Sequence, residues 1–493
     1  ENIGEPSSEE FEDIQTKGSY INFFIKRKNM AGLVVREILA KKEHYGKNKL
    51  KKEKVMVEFS QANTHKAFHF GHIRGTSLGE SLARILEFCG NNVIRVNYQG
   101  DSGMHVAKWI WCYKKYHSSE KIKNDEAWIA SIYVDAVKRL TTNEKLQEEV
   151  DAINKSLEEG KDNKLNLLWK KTRKLSLDAF EQIYKELNTH FDFYFFEKEM
   201  EKDALRIVED LLAKKIATIS DGATIIDLKK YNLGVWVLLR KDKTVLYSAK
   251  DLALAEKKFN RYKIDRSIYV VGAEQKLHFY QLFKTLELMG FSQSKKCKYI
   301  PVSEIRFPWG KMSSRTGENV LYSEFIKQIT EFAKKGTKER DKKISQKELE
   351  KRALKISIAA IKYFLLKQHP NKNIIFKREE AMNFDGDTGP YILYSYARAS
   401  SILKKVKQKR KFEVRDLNEK EIELVKKLSL FPDVVASAYK NLNPSIIANY
   451  SYQLAQIFNE FYHSCPVIGS EEHESFRLAL VESFRQVLKN SLY

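Results

Sequence analysis

Residues 55–103, VMVEFSQANTHKAFHFGHIRGTSLGESLARILEFCGNNVIRVNYQGDSG, leave fewer choices of fold than any other stretch of the chain. Val55, Val57 and Phe59 alternate as a half-buried strand does. From Ile73 the apolar residues Leu78, Leu82, Ile85, Leu86 and Cys89 recur at helical spacing until Gly90, a natural helix stop. A second strand, Val93–Val96, follows at once. This strand–helix–strand order leaves His69-Phe70-Gly71-His72 at a helix N-terminus, where free backbone N–H groups and the macrodipole favour an anion. Phosphate is the obvious candidate. Two neutral histidines can donate hydrogen bonds to phosphate oxygens, more strongly as charge develops at phosphorus, and Gly71 lets the backbone come close. Four residues recur by chance, so the weight rests on their place in the unit.

With 493 residues the chain is long enough for two or three domains, each with its own core. Lys plus Arg number 87 against 65 Asp plus Glu, a net charge of +22, which points to a polyanion such as nucleic acid or an acidic membrane surface. No apolar run reaches the ~18 residues of a spanning helix. The leading residues ENIGEPSSEEFED are acidic and polar, so a soluble, cytoplasmic protein is expected. Cys89, Cys112, Cys297 and Cys465 are far apart and form no CxxC pair, which argues against a cysteine zinc site and a disulfide framework. Buried thiols are expected.

Taken in order, residues 1–50 form a small N-terminal piece with an apolar strand Tyr20–Ile25, an amphipathic helix through Leu33, Val34, Ile38 and Leu39, and a basic linker from Lys47. After the Gly100-Asp101-Ser102-Gly103 turn, residues 104–215 read as a helical insertion, rich in Lys, Glu, Leu and Trp. Strands are predicted at Thr224–Leu228, Val235–Leu239 and Ser267–Val271, with helices at 248–260 and 275–289, so the sheet begun at Val55 is completed beyond the insertion. Residues 301–321 read as loop. From there to Tyr493 the 3–4 spacing of Ile358, Ile361 and Leu365, and of Ile447, Tyr450, Leu454, Ile457, Phe458 and Phe461, predicts a helix bundle. Its basic runs, Lys334–Lys343 and Lys404–Lys411, are solvated faces or phosphate contacts. Tyr391, Tyr394, Tyr396, Tyr450, Tyr452 and Tyr462 nearby suggest an RNA-stacking surface.

A second chemical stretch is Gly310-Lys311-Met312-Ser313-Ser314-Arg315-Thr316-Gly317, a glycine-flanked loop whose cations and hydroxyls can close on a triphosphate. Standing alone it would be an ordinary basic surface loop. In Tyr247-Ser-Ala-Lys-Asp251 the phenol and the carboxylate are four apart and share a helix face, where a cation can sit against both. Glu58, within an apolar strand, either faces solvent by alternation or turns towards a site at the strand's end. Val270-Val-Gly-Ala-Glu-Gln275 ends a strand in a glycine turn before a helix, the usual place for a ligand in a parallel sheet.

Together these stretches resemble a class I aminoacyl-tRNA synthetase, and the strings EFSQANTHKAFHFGH, NYQGDSG, LYSAKDLALA, YVVGAEQ, GKMSSRTGENV, DTGPYILYSYARASSIL and ANYSYQLAQIFNEFYHSCPV resemble the arginyl-tRNA synthetases in particular. The resemblance runs from about Gly18 to the last residue. It implies a Rossmann-type α/β catalytic domain over residues 51–320 with a helical insertion at about 104–215. A shortened N-terminal tRNA-contacting domain (1–50) would precede it, and an all-α helix-bundle anticodon-binding domain (321–493) would follow. It further implies that His69, Gly71 and His72 bind ATP and stabilise adenylation, with Lys311, Met312, Ser313 and Ser314 closing over the phosphates. Ser314 stands where the wider class has a second lysine, and Lys66, just before the two histidines, is the compensating cation. Glu58, Tyr247 and Asp251 are placed around a substrate guanidinium, and Asn63 and Gln275 near its α-amino end. A planar cation with five donors calls for carboxylates and a phenol oxygen. The implied partners are L-arginine, ATP with Mg2+ and tRNA(Arg), with no protein-held zinc, and the chain is expected to be a monomer. Lys404, Lys405, Lys407 and Lys409 are candidate tRNA contacts.

Two other readings are weighed. A non-catalytic RNA-binding relative would not need the HxGH, KMS loop and Asp251 that this chain retains. Cysteinyl and methionyl enzymes are disfavoured by the missing zinc-type cysteines, and isoleucyl, leucyl and valyl enzymes by the short insertion.

Overall fold

The structure, a computed structural model, describes residues 11–47, 52–308, 310–311, 321–406 and 411–493; at 310–311 only the backbone is described. A hairpin of β1 (Phe11–Lys17) and β2 (Tyr20–Ile25) leads into α1 (Arg27–Lys41). Then come β3 (Lys54–Glu58), α2 (Phe70–Phe88) and β4 (Asn92–Gln99). Four helices follow: α3 (Met104–Tyr116), α4 (Glu126–Thr142), α5 (Gln147–Glu159) and α6 (Asn163–Glu186). The chain returns to the sheet as β5 (Phe193–Phe196) and continues through α7 (Glu201–Ala213) into β6 (Thr218–Ser220), β7 (Ala223–Asp227) and β8 (Val235–Leu239). α8 (Tyr247–Tyr262), β9 (Arg266–Gly272), α9 (Lys276–Leu288) and β10 (Cys297–Val302) complete the α/β part.

The main sheet has the order β10-β9-β3-β4-β5, all parallel. The chain steps outward from β3 to β4 to β5, then returns to the other side of β3 for β9 and β10. The direction of winding therefore reverses between β3 and β9, and the crevice at the carboxyl ends of those two strands is where a ligand belongs. β3 is central and buried on both faces: Val55, Met56 and Val57 have no exposed surface. Val55 and Val57 pack with Leu78, Leu82 and Leu86 of α2, whereas Met56 packs with the α7, α8 and α9 side. Sequence alternation suggests a half-buried strand; helices on both faces of a parallel sheet bury it instead.

Three further differences from the sequence reading have physical causes. The helical insertion stops at α6, because Phe193-Tyr-Phe-Phe is short, aromatic and pairs with β4 as the sheet's fifth strand. β7 and β8 lie outside the main sheet, in a separate antiparallel sheet of order β6-β7-β8. Residues 301–311 carry strands: Pro301 and Val302 end β10, and β11 (Ile305–Phe307) pairs with β12 (Gly310–Lys311) and with β13 (Ile374–Ile375).

The remaining helices are α10 (Tyr322–Arg340), α11 (Gln346–Leu366), α12 (Arg378–Ala381), α13 (Gly389–Lys404), α14 (Glu419–Ser429), α15 (Phe431–Asn441), α16 (Ser445–Ser464) and α17 (Glu474–Ser491). α10 and α11 share a core with Phe68, Phe70 and Ile73. α13 to α17 form a second core that includes Ala31, Val35 and Ile38 of α1. The four cysteines are buried and unpaired. Among the described residues no helix is long and apolar enough to cross a membrane.

Candidate active site

The loop from β3 to α2, Phe59 to His69, covers the crevice and is held in an uncommon backbone. Ser60, Gln61 and His65 all have positive φ (80°, 46° and 63°), a conformation that costs L residues free energy and persists only where neighbours impose it. The restraints are explicit. Ser60 Oγ and Tyr184 Oη share a hydrogen bond of 2.9 Å, and Thr64 N donates to Gly100 O. His65, fully buried and pushed down to about 3 by desolvation, bridges Thr64 and Thr172 through its two ring nitrogens. This third histidine is a neutral latch to α6. Opposite the loop, Gly100 ends β4 with no room for a side chain, since a Cβ there would lie 2.3 Å from Asn63 Oδ1. Asp101 ties the same turn to α6 through Arg173 Nη1 at 2.7 Å.

Under this loop lies a cavity of about 950 Å³. Glu58, Asn63, Tyr247, Asp251 and Gln275 all line it, so the structure brings together the five residues that the sequence places around an amino acid. Six carboxylates and three cations line the cavity in all, an acid excess inside a chain of net charge +22. Such a pocket selects a cation. Glu58 is buried at 3% exposure, so of its two open readings the solvent-facing one fails. Its Oε2 accepts from Lys258 Nζ, itself fully buried on α8 and 4.1 Å from the centre of the Tyr269 ring. Asp251 Oδ2 lies 2.6 Å from His278 Nε2.

A second cavity, of about 720 Å³, adjoins the first at Asn63, which lines both. Lys66, His69 and His72 face it. The two imidazoles stack with ring centres 3.8 Å apart, and His69 N donates to His72 Nδ1 at 3.1 Å. Burial, with the neighbouring Lys66, lowers His69 to about 4 and His72 well below its ordinary value, so both rings are neutral at pH 7. With Nδ1 accepting, the proton of His72 sits on Nε2 and is available to an acceptor. His69 Nδ1 is buried with no hydrogen-bond partner among the described residues. Gly71 lies in the first turn of α2. The Lys66 ammonium, 5.3 Å from the Tyr133 ring centre, is lowered by burial and by Lys108.

The described residues on either side of the basic loop are each held by pairing. Gly310 and Lys311 pair with Phe307 and Arg306, and Leu321 forms a β-bridge with His69 while Tyr322 N donates to Phe68 O. Arg74, buried in α2, fixes the preceding segment by donating to Ser303 O and Lys372 O. Met312, Ser313 and Ser314 lie outside the described residues, as does the side chain of Lys311.

A family model described as "tRNA synthetases class I (R), catalytic domain" matches residues 34–378, and one described as "DALR anticodon binding domain" matches residues 392–493. The arginine-tRNA ligase of Clostridium acetobutylicum is 35% identical over 488 residues, 98% of this chain and 86% of that protein. The chain belongs to the arginyl-tRNA synthetase family. The arginine-tRNA ligase of Bdellovibrio bacteriovorus is 37% identical over 96% of this chain and 84% of its own length. In three dimensions the arginyl-tRNA synthetase of Thermus thermophilus has the same fold, with a TM-score of 0.85 at 24% identity, covering 99% of this chain and 88% of that one.

Three residues at or behind the acidic cavity escape the sequence reading. Glu197 lines it directly, and burial raises its carboxyl to about 7. Its signal is close to the one that singles out Glu58, an acid at the end of an apolar strand, and it is hidden where β5 reads as part of a helical insertion. Lys258 and His278 belong to amphipathic helices, and only the packing shows that they back Glu58 and Asp251. On the bundle, Lys404 and Lys405 are exposed at the end of α13, and Lys407 and Lys409 lie outside the described residues. Tyr450 is core, its hydroxyl donating to Lys427 O, so it cannot stack on a base. Exposed Tyr394 and Tyr462 instead flank the Arg398 guanidinium at 4.8 and 5.1 Å.

Proposed function

We propose that the protein couples L-arginine to ATP, forming arginyl-adenylate and pyrophosphate, and then passes the arginyl group to the 2′-hydroxyl of the terminal adenosine of tRNA(Arg). The observation that carries this reading is the acid-rich cavity at the reversal of the sheet, joined at Asn63 to a cavity lined by two neutral histidines and a lysine. In this reading Glu58, Tyr247 and Asp251 take the guanidinium, and Asn63 and Gln275 take the α-amino end. The arginine carboxylate is then delivered to the α-phosphate of an ATP bound over His69, Gly71 and His72. Neutral imidazole N–H groups suit the pentavalent phosphate, since they strengthen as charge grows on its oxygens and need no proton transfer. Lys66 and Lys311, with Met312, Ser313 and Ser314, are proposed to close on the phosphates.

Magnesium is proposed to enter with ATP. Among the described residues one group offers three metal-type side chains together, Cys112, His117 and Asp135 on and beside α3 and α4. There Asp135 Oδ2 already accepts from Cys112 Sγ, His117 Nε2 and Arg139 Nε, and the guanidinium disfavours a cation. We further propose residues 51–320 as the catalytic unit, 321–493 as the anticodon-binding unit and 1–50 as a tRNA contact. We also propose that the protein works as a monomer in the cytoplasm.

Arginine-dependent exchange of pyrophosphate into ATP, measured with and without tRNA(Arg), tests the reading. Asp251→Ala is expected to abolish measurable arginine selectivity while ATP binding persists. An unchanged KM for arginine would remove Asp251 from the substrate. Truncating one partner of a buried ion pair costs about 3–5 kcal/mol, so the effect is large if the guanidinium is fully enclosed.

A further inference from the structure

We propose that His278 is a positioning residue for arginine recognition: it pins one oxygen of Asp251 so that the other is presented, fixed in place, to the guanidinium. The inference rests on the reading of Asp251 as a substrate ligand and adds the group that holds it. His278 Nε2 lies 2.6 Å from Asp251 Oδ2, and its side chain is 8% exposed. Its other ring nitrogen, Nδ1, is buried with no hydrogen-bond partner among the described residues. A proton on Nδ1 would be buried without an acceptor, which is costly, whereas a bare lone pair there costs little. The geometry therefore puts a proton on Nε2, which donates to Asp251 Oδ2. Asp251 Oδ1 accepts no hydrogen bond among the described residues.

Aromatic side chains pack against the ring. Trp236 of β8, Tyr247 of α8 and Phe279 of α9 surround it with ring centres at 5.5, 4.9 and 5.3 Å. The small antiparallel sheet thus has a task in the site, since it supplies the indole against His278. Gln275 and His278 are three residues apart at the start of α9, so one turn of chain places a lining amide and the support for a lining carboxylate together.

The test uses the full chain and compares His278→Gln, His278→Asn and Asp251→Asn by arginine-dependent pyrophosphate exchange. A glutamine amide reaches about as far as Nε2 and can still donate to Asp251; an asparagine amide stops near the Nδ1 position and cannot. His278→Asn is expected to raise the KM for arginine on the order of 10-fold or more, as loss of a hydrogen bond to a charged group does, with the KM for ATP unchanged. His278→Gln is expected to keep most of the parental arginine KM, and adding His278→Asn to Asp251→Asn to bring little further loss. Equal arginine KM values for the Gln and Asn variants, with Asp251→Asn impaired, overturn the role of His278 alone. An unimpaired Asp251→Asn removes the guanidinium reading and this inference with it. Thermal melts of the two His278 variants separate both results from a folding defect, which would raise neither KM selectively.

Discussion

Lys258 has no exposed surface, and its ammonium meets a carboxylate that is itself 3% exposed. Removing one partner of such a pair leaves the other charge buried, so Lys258→Met is expected to lower stability by about 3–5 kcal/mol. Chemical denaturation checks this, and Lys258→Met combined with Glu58→Gln is expected to recover part of the loss. Glu197 behaves oppositely. Burial raises its carboxyl to about 7, above the ordinary 4.5, so the folded protein binds a proton between those values that the unfolded chain has released. Stability therefore falls as pH rises from about 4.5 through about 7, and the cost persists above that. Glu197→Gln is expected to melt no lower than the parent at pH 8 while raising the KM for arginine, because a carboxylate retained at that cost faces the substrate cavity. A lower melting temperature at pH 8 would show that the charge stabilises the fold. This pairing was not legible in the sequence: Glu58 stands out within its apolar strand, but Lys258 lies 200 positions away and reads as an ordinary charged residue of a helix.

At the level of elements, strands flanked by glycine turns and helices of regular period were legible, and the misreadings fell on short or doubly covered segments. β5 has four residues between helices, too few for a period to show, and β3 is apolar on both faces because helices cover both. Strand membership in one sheet or another is set by long-range pairing, which no local pattern carries. The β3–α2 loop shows how closely elements approach at the site. A Cβ on Gly79 of α2 would lie 2.1 Å from Phe59, so Gly79→Ala is expected to cost about 1–3 kcal/mol by overpacking, read from denaturation midpoints. On the same loop Lys66 lines the cavity of His69 and His72, and it is proposed to supply the cation that Ser314 does not. Lys66→Ala is expected to slow adenylate formation far more than it raises the KM for ATP. Ser314→Lys in that background is expected to recover part of the rate. A near-parental single mutant would remove Lys66 from the chemistry.

The whole molecule separates its charges: an excess of acid lines the cavity beneath the β3–α2 loop, while the chain as a whole carries a net +22. A polyanion is repelled by the former and drawn to the latter, so tRNA is expected to engage the outside of the bundle and reach the catalytic crevice only with its end. α13 offers a candidate track. Tyr394, Arg398 and Lys405 recur at helical spacing along one stripe, exposed Tyr394 and Tyr462 flank the guanidinium, and Arg398 Nη1 is fixed by Asn459 Oδ1 at 2.6 Å. Aromatic faces and ammonium groups make different contributions, and salt tells them apart. Replacing Lys404 and Lys405 by alanine is expected to weaken tRNA binding and reduce the slope of log affinity against log salt by up to ~2 if both touch phosphates. Adding Lys407→Ala and Lys409→Ala extends the reduction to up to ~3 if further contacts are lost. Replacing Tyr394 and Tyr462 by alanine is expected to cost about 1–3 kcal/mol for each base that stacks, with the salt slope unchanged. Equilibrium binding of tRNA(Arg) across a salt series measures both. A slope unaltered in the lysine variants would return the run to a solvated face, and an affinity unaltered in the tyrosine variants would leave the two rings as supports for Arg398.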